Sequence, residues 1–272
     1  MRLATLRRPG STVAVRVDDD HAVVIDGFRD LSALLAEPEW RTVAAGADGE
    51  RIPLDGADYA PVVPRPGKIV CVGLNYATHI QEMGRELPEY PTLFAKFADA
   101  LTGPYDDVVV PSYAAAQLDW EAELAVIMGR DAYQVSRADA DDYIAGYSVI
   151  NDYTMRDYQY RTPQWDQGKT FQATSGFGPV LDTEYALGTP IETRLSGEVM
   201  QSSNTADLVF TPDHLVEYIS HIVTLRAGDV IITGTTGGVG HARKPARYIQ
   251  DGETVEVTIG GLGTVRNTTH VR

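Results

Sequence analysis

The feature that most constrains the structure of this chain is a pair of glutamates, separated by one residue, directly before an apolar run. Glu121 and Glu123 follow Asp119, and the run Leu124–Met128 comes next. The pattern indicates a β-strand on which Asp119, Glu121 and Glu123 share one face, whereas a helix would point the two glutamates to nearly opposite sides. Carboxylates beside an apolar core repel one another unless a cation compensates them, and an all-oxygen site suits Mg²⁺, Mn²⁺ or Ca²⁺. A solvent-facing acidic strand explains the pattern equally simply, and Glu-X-Glu alone favours that interpretation.

A third carboxylate follows a second predicted strand. The stretch Ala145–Ile150 has the composition of a buried strand, and Asp152 lies at its exit, where functional sites are usually built. Arg156 and Gln159 follow at helical spacing and would share a face with Asp152. Lys169 adds a cation within the same connection. The combination indicates a site that handles an oxyanion beside a metal ion.

His79 and Glu82 are candidates for a catalytic dyad. They are three residues apart, so a helical turn would bring their side chains together. A carboxylate beside an imidazole raises its basicity and holds one tautomer, as a general base that activates water requires. A structural pair on the surface has the same spacing. Judged from the residues alone, such a pair is more common than a catalytic dyad.

A glycine-rich loop, Gly234–Gly240, follows the predicted strand Val230–Thr233. A P-loop would end in Gly-Lys-Ser/Thr, whereas this loop ends in Gly240-His241. A dinucleotide-binding loop would open a helix, and the sequence Ala242–Pro245 is poor for that. The loop is therefore interpreted as one that lets backbone N–H groups approach an anion or a lid.

Charge and composition limit the partners. The net charge is −15 at pH 7, which argues against nucleic acid or an anionic membrane as the main partner. The sequence contains no apolar run of a length that would span a membrane. The N-terminal residues lack the apolar core of a signal peptide, and Cys71 is the single cysteine, so we expect a cytoplasmic, reducing location. Cys71 lies in an apolar strand and is expected to be a core residue rather than a nucleophile.

The chain divides near a proline-rich stretch that contains Pro61, Pro64 and Pro66. We expect a small β-rich N-terminal domain over residues 1–63 and a second domain over residues 64–272. Helices are predicted over three segments: Leu31–Ala36, Ser136–Ile144 and Thr211–Ile222. In the last of these, Thr211 is the expected cap, and the buried stripe is expected to consist of Leu215, Ile219 and Ile222. A terminal hairpin is predicted from Gly252–Ile259 and Gly263–Val271.

Five motifs in a fixed order carry a family resemblance. They are Gly73–Glu82, Glu121–Glu123, Asn151–Gln159, Gly168–Lys169 and Gly228–Thr235. Together they resemble the fumarylacetoacetate hydrolase family from about Pro64 to the end of the chain. The resemblance implies an α+β, mainly β fold, a mixed β-sandwich roll after a small N-terminal domain, and a homodimer.

The resemblance also implies roles for ten residues. The metal ligands for Mg²⁺ or Mn²⁺, or for Ca²⁺ in the same site, would be Glu121, Glu123 and Asp152. The water-activating dyad and the lysine that meets the substrate oxyanion would be His79, Glu82 and Lys169. The substrate-binding residues would be Tyr76, Arg156, Gln159 and Thr235. The chain departs from the family pattern at Thr236, where proline is common, and at Gln172, where aspartate is common. These departures leave the metal set intact and bear on the substrate.

The implied reaction is hydrolytic C–C cleavage of a 1,3-diketo acid, an acylpyruvate such as fumarylpyruvate, in the catabolism of aromatic compounds. The partner is a small anionic 2-oxo acid. Decarboxylation of oxaloacetate, and isomerisation or hydration of a 2-oxo-dienoate, use the same metal set and remain alternatives. A metal-stabilised binding protein without activity is an alternative of another class, and the His79/Glu82 dyad argues against it because a binder needs no base beside water.

Overall fold

The fold is built mainly from β-strands, in a computed structural model that describes residues 1–82, 84 and 86–272, the side chains of His79 and Glu82 excepted. The first elements are β1 (Arg2–Arg8), β2 (Ser11–Val17), β3 (His21–Val24), α1 (Leu31–Leu35), α2 (Trp40–Ala45) and β4 (Arg51–Pro53). There follow β5 (Ile69–Gly73), α3 (Ala77–Glu82), β6 (Thr92–Lys96), β7 (Leu101–Thr102), β8 (Val108–Val110), β9 (Leu118–Asp119), β10 (Ala122–Met128), β11 (Ile144–Asn151) and β12 (Thr154–Met155). The last elements are α4 (Arg156–Gln159), α5 (Asp166–Lys169), β13 (Ser175–Asp182), β14 (Pro190–Leu195), β15 (Glu198–Asn204), α6 (Pro212–Ser220), β16 (Val230–Thr235), β17 (Thr254–Ile259) and β18 (Gly263–Val271). The predicted mainly β, mixed architecture is confirmed.

A large mixed sheet and a smaller one organise these strands. In the large sheet the order is β4-β3-β2-β1-β13-β11-β10-β16-β5-β6, with β7 beside β13. The pairs β16–β5 and β13–β7 are parallel, and the other neighbours are antiparallel. The smaller sheet has the order β15-β14-β17-β18-β8. Its antiparallel pair β17–β18 is the terminal hairpin predicted from the sequence.

The N-terminal strands continue the large sheet. Strand β1 pairs with β13 through Arg2 opposite Asp182 and Leu3 opposite Leu181. The side chain of Arg7 on β1 also pairs with Asp106, in the turn after β7, at 2.5 Å. The first four strands are therefore joined to the rest of the chain by a ladder and an ion pair. The division into domains at residue 63 stays a prediction.

Strand β10 forms the centre of the core because every residue of it is buried. Ala125 and Ile127 belong to one apolar cluster, which contains Val230 of β16. Val126, on the opposite face of the strand, belongs to another cluster, which contains Leu215 of α6. An apolar strand with both faces covered is the normal environment for a continuous apolar sequence in a sheet. The apolar run after Glu123 is explained in this way.

Several local predictions need correction. Arg137–Tyr143 is a 3-10 helix rather than the α-helix expected over Ser136–Ile144. Helix α6 ends at Ser220, so Ile222 lies beyond it and is 63% exposed instead of buried. Thr211 is at the N-cap position of α6, but its side chain makes no capping hydrogen bond. Cys71 is buried in β5, as expected.

Within residues 1–82, 84 and 86–272, no helix is both long enough and apolar enough to cross a membrane.

Candidate metal centre and active-site cavity

The sheet brings three carboxylates together. Because β10 and β11 are antiparallel, the start of one strand meets the end of the other, and Ala122 lies opposite Asn151. The ladder extends past the strand ends through a hydrogen bond of 2.9 Å from the Asp152 amide to the Glu121 carbonyl. As a result, Glu121, Glu123 and Asp152 each offer a carboxylate oxygen, and these atoms lie within 4.8 Å of one another. We call these three residues the carboxylate triad; all are buried.

Asp119 is not one of the triad carboxylates, although both Asp119 and Glu121 pair with Arg156. The predicted common face of Asp119, Glu121 and Glu123 stays a prediction. The strand is interrupted between β9 and β10, and the Asp119 carboxylate accepts hydrogen bonds from three backbone amides: Trp120 at 2.9 Å, Gly240 at 2.7 Å and His241 at 2.9 Å. Its Oδ2 also accepts a hydrogen bond from Arg156 Nε at 2.8 Å. Asp119 therefore holds Arg156 and the end of the glycine-rich loop in fixed positions.

Two buried lysines face the triad. Lys169 Nζ lies 2.6 Å from Glu121 Oε2 and 2.8 Å from Asp152 Oδ2. Lys96 Nζ lies 2.9 Å from Asp152 Oδ1 and also donates to the carbonyl of Lys169. The close packing of α5 on α4 requires glycine before Lys169, because a Cβ on Gly168 would lie 2.5 Å from the carbonyl of Met155.

The electrostatics of the cluster have three parts. Burial and the neighbouring carboxylates of Asp152 and Glu121 raise the pKa of Glu123 well above its usual value. Burial also disfavours the charged form of Asp152, but Lys169 and Lys96 outweigh burial and lower its pKa. Burial lowers the pKa of Lys169, and the ion pairs with Asp152 and Glu121 outweigh it, so the net shift is upward. Lys169 is therefore a fixed cation at neutral pH.

The donor set fits a hard divalent cation. Four carboxylates, those of the triad and Asp119, lie among three cationic side chains, namely Lys96, Lys169 and Arg156. With all four carboxylates ionised, the region carries one negative charge in excess, and the triad supplies only oxygen ligands. Mg²⁺, Mn²⁺ and Ca²⁺ prefer such ligands, and a divalent cation would leave one positive charge in excess.

Arg156 carries a donor that the described residues leave unpaired. Its Nε pairs with Asp119, and its Nη1 lies 2.7 Å from Glu121 Oε1 and 2.9 Å from Gln159 Oε1. Within the described part of the chain, its Nη2 has no hydrogen-bond partner although it is buried. A buried N–H without an acceptor is costly, so this atom points to a ligand that supplies one.

These groups open into a cavity of about 210 Å³. The predicted site residues that line it are Glu121, Glu123, Arg156, Gln159, Lys169 and Thr235. Its walls also include Phe94, Tyr160, Trp165, Val239 and His241. Pockets for drug-sized ligands are typically about 300–1,000 Å³, so the size indicates a small ligand.

Thr235 is held at the cavity by a residue that is remote in sequence. Its Oγ1 donates to the carbonyl of Ala122 at 3.0 Å and accepts from Gln201 Nε2 at 2.8 Å. Gln201 Oε1 in turn accepts from the Ala122 amide at 3.0 Å. This buried glutamine on β15 ties the start of β10 to the end of β16. The sequence gives no local signal for it.

Lys96 and His241 were also missed at the sequence level. Lys96 ends an otherwise apolar strand, Thr92–Lys96, and a lysine in that position is a signal of a buried ion pair. His241 follows the glycine-rich loop directly. Its place on the cavity depends on the path of that loop, which the sequence does not specify.

Asp152 is not among the described residues that line the cavity, but it contacts Lys169, which lines it. Three other predicted site residues are not brought to the cavity by the described structure. Tyr76 is fully buried in an apolar cluster and is not among the described residues that line the cavity. The side chains of His79 and Glu82 lie outside the described part of the chain. The roles assigned to these three residues stay predictions.

The chain is similar to known proteins in family, sequence and structure. Residues 68–270 match the family model described as fumarylacetoacetate (FAA) hydrolase C-terminal. The chain is 39% identical over 221 residues to the oxaloacetate tautomerase Fahd2a, mitochondrial, of Rattus norvegicus, which covers 79% of this chain and 70% of the rat protein. It is 40% identical over 216 residues to the oxaloacetate tautomerase YisK of Bacillus subtilis, which covers 77% of this chain and 71% of that protein.

Solved structures share the whole fold. Fumarylacetoacetate hydrolase from Exiguobacterium antarcticum superposes with a TM-score of 0.89 at 32% identity and covers 100% of both chains. The 5-carboxymethyl-2-hydroxymuconate delta-isomerase from Mycobacterium smegmatis superposes with a TM-score of 0.83 at 31% identity and covers 100% of this chain and 99% of that one.

Proposed function

The chain belongs to the fumarylacetoacetate hydrolase family, and from that premise we propose that it is a divalent-metal-dependent enzyme that interconverts the keto and enol forms of a small 2-oxo dicarboxylic acid such as oxaloacetate. The observation that carries the proposal is the buried carboxylate triad, because two of its members, Glu121 and Glu123, line a small cavity together with Lys169. The tautomerases among the relatives, at 39–40% identity, give the reaction type.

The cofactor would be Mg²⁺ or Mn²⁺, with Ca²⁺ possible in an all-oxygen site of this kind. Glu121, Glu123 and Asp152 would hold it. When bound, a divalent cation supplies Lewis-acid stabilisation of negative charge on a 2-oxo oxygen.

The chain's own side chains supply charge and orientation. Lys169 keeps its proton, so it stabilises developing negative charge rather than acting as a base. The free Nη2 of Arg156 provides a donor to an anionic substrate. Gln159 is oriented by Arg156, and the hydroxyl of Thr235 is oriented by Gln201. Such fixed donors require little reorganisation when charge develops on the substrate.

Tautomerisation needs one further group, a base that moves a proton between carbon and oxygen. We retain His79 with Glu82 as the proposed dyad. Both belong to α3, which begins four residues after Gly73 of β5, and Gly73 and Leu74 line the cavity. This short connection favours a position of α3 next to the cavity mouth.

Hydrolytic cleavage of an acylpyruvate is the second candidate. It is favoured by the likeness to the Exiguobacterium antarcticum fumarylacetoacetate hydrolase over the full chain length. Hydrolysis breaks a C–C bond and consumes water, decarboxylation releases carbon dioxide, and tautomerisation breaks no bond between carbon atoms. The products therefore distinguish the three reactions.

A substrate panel tests the proposal. The Mn²⁺-loaded protein is given enol oxaloacetate and fumarylpyruvate, the enol absorbance is followed, and pyruvate, fumarate and carbon dioxide are assayed. We expect accelerated decay of the enol signal with oxaloacetate remaining as the ketone. Stoichiometric fumarate and pyruvate from fumarylpyruvate, without accelerated tautomerisation, would reject tautomerisation in favour of hydrolysis.

A further inference from the structure

We propose that His241 at the cavity wall binds the distal carboxylate of the substrate and so selects dicarboxylic over monocarboxylic 2-oxo acids. The inference rests on the proposed function and deepens it. It assigns a specificity residue outside the triad, the lysines and the predicted dyad.

The backbone fixes the position of His241 relative to the site. Its amide donates to Asp119 Oδ2 at 2.9 Å, and the preceding Gly240 amide donates to Asp119 Oδ1 at 2.7 Å. The same Asp119 carboxylate holds Arg156. His241 and Arg156 are therefore anchored on one buried group, and both line the cavity. A ligand bound in the cavity can therefore meet both side chains.

The ring of His241 is held from two sides. Its Nδ1 lies 3.0 Å from the hydroxyl of Tyr248, and its ring centroid lies 5.1 Å from that of Tyr160. With Nδ1 engaged by Tyr248, Nε2 is the ring nitrogen that remains for a ligand. A histidine positioned in this way offers a hydrogen bond when neutral and a charge-assisted one when protonated.

Charge balance favours a dianionic ligand. With a divalent cation bound, the buried groups carry one positive charge in excess, and a 2-oxo dicarboxylate brings two negative charges. A proton on His241 would make the complex neutral. A monocarboxylic 2-oxo acid reaches neutrality with the metal alone and has no use for that proton.

The surroundings set how His241 titrates. The charged and titratable groups that face it are Arg156, Asp119, Tyr160 and Tyr248. Burial and the charge of Arg156 lower the pKa of His241 below its usual 6.5, and Asp119 opposes them. A carboxylate bound beside the ring favours the protonated form. Preference for the dicarboxylate should therefore strengthen as the pH falls towards and below 6.5.

Binding of pyruvate and oxaloacetate tests the inference, because the two ligands differ by one carboxylate. Their dissociation constants for the Mg²⁺-loaded full chain are measured from the intrinsic fluorescence of the three tryptophans, of which Trp165 lines the cavity. In His241→Phe we expect the preference for oxaloacetate over pyruvate to fall roughly tenfold, the scale of one hydrogen bond to a charged group. His241→Gln should retain part of the preference but lose its pH dependence. His221→Gln, at an exposed histidine after α6, is the control and should match the wild type.

The possible outcomes separate the two proposals. A folded His241→Phe variant with wild-type preference and wild-type pH dependence overturns the role of His241. If that result occurs while the wild-type protein still tautomerises oxaloacetate, only this inference fails. If the Mg²⁺-loaded wild type binds neither acid and turns over neither, the proposed function fails first. Thermal melting of both His241 variants shows whether each is folded.

Discussion

The catalytic role that we propose for Lys169 depends on where its charge lies. The ammonium group is buried against Glu121 and Asp152, and its pKa is raised rather than lowered. A lysine that acts as a base needs a lowered pKa, and this lysine has the opposite shift. Its contribution is therefore electrostatic.

Replacing Lys169 by methionine should lower kcat by at least about a hundredfold, the scale of removing one oxyanion donor. The variant also leaves Asp152 and Glu121 with fewer cations, so its affinity for Mn²⁺ should rise or stay unchanged. Steady-state kinetics and metal titration check both expectations. Lys244→Met is the matched control at an exposed lysine. A Lys169→Met variant within about twofold of wild-type kcat would contradict the role.

Among individual residues, the sequence predicted those that a pattern in the neighbouring sequence identifies. Alternation along a strand pointed to Glu121 and Glu123, and the end of an apolar stretch pointed to Asp152. Alternation did not predict that the carboxylate of Asp119 is occupied by the amides of Gly240 and His241, more than a hundred residues away. Such contacts depend on the tertiary path of the chain, which no local pattern contains.

The end of β16 is shaped by a close approach of backbones. Gly234 has φ +95°, and a Cβ there would lie 2.8 Å from the carbonyl of Val72 and 3.0 Å from the Cβ of Asn75. Its amide donates to Glu123 Oε2 at 2.5 Å. The glycine therefore couples the β16–β5 junction to a triad carboxylate.

Gly234→Ala should lower the free energy of unfolding by about 1–3 kcal/mol and weaken Mn²⁺ binding, because it strains the backbone that positions Glu123. Gly10→Ala is the matched control, since Gly10 has φ +74° and open space around it. That control should lose stability without losing metal affinity. Equal metal affinity in the Gly234 variant and the wild type would refute the coupling.

The ion pair between Arg7 and Asp106 fastens β1 to the turn after β7. Burial disfavours the charged form of Asp106, but Arg7 and Thr102 outweigh it and lower its pKa below 3.8. The stabilisation is therefore fully present above 3.8 and is lost as the pH falls through the lowered pKa.

Asp106→Asn should destabilise the protein by roughly 1 kcal/mol at neutral pH and flatten the loss of stability below pH 3.8. Denaturant unfolding at several pH values measures both effects. Asp58→Asn removes the more exposed partner of the same arginine and should have a smaller effect at neutral pH. If the free energy of unfolding of the Asp106 variant falls with pH below 3.8 as steeply as that of the wild type, this carboxylate does not fasten β1.

Helices with a strong apolar period were predicted well, but the residues at which they end and the type of helix were not. Leu215 and Ile219 are buried on α6 as predicted, but the helix stops at Ser220, so Ile222 does not continue the stripe. The segment Arg137–Tyr143 keeps a helical pattern but forms 3-10 turns where it packs on α6. Tertiary packing decides such details, and helical propensity does not.

For the whole molecule, a strongly acidic surface surrounds a site rich in cations. The net charge is −15, yet the cavity region contains Lys96, Lys169 and Arg156. An anionic substrate is repelled by the overall field and would be attracted only at this site with a divalent cation bound, which favours small ligands that enter the cavity. The homodimer and the cytoplasmic location stay predictions.

Calorimetric titration of Mn²⁺ into the wild type, Glu123→Gln and the exposed control Glu198→Gln tests the central claim most directly, with oxaloacetate tautomerisation assayed on the same samples. We expect one site in the wild type and in the control. In Glu123→Gln we expect Mn²⁺ affinity at least about a hundredfold weaker, with activity lost in parallel, because one of three charged ligands is removed. Equal Mn²⁺ affinity in all three proteins, or activity that survives removal of the metal, would contradict the claim.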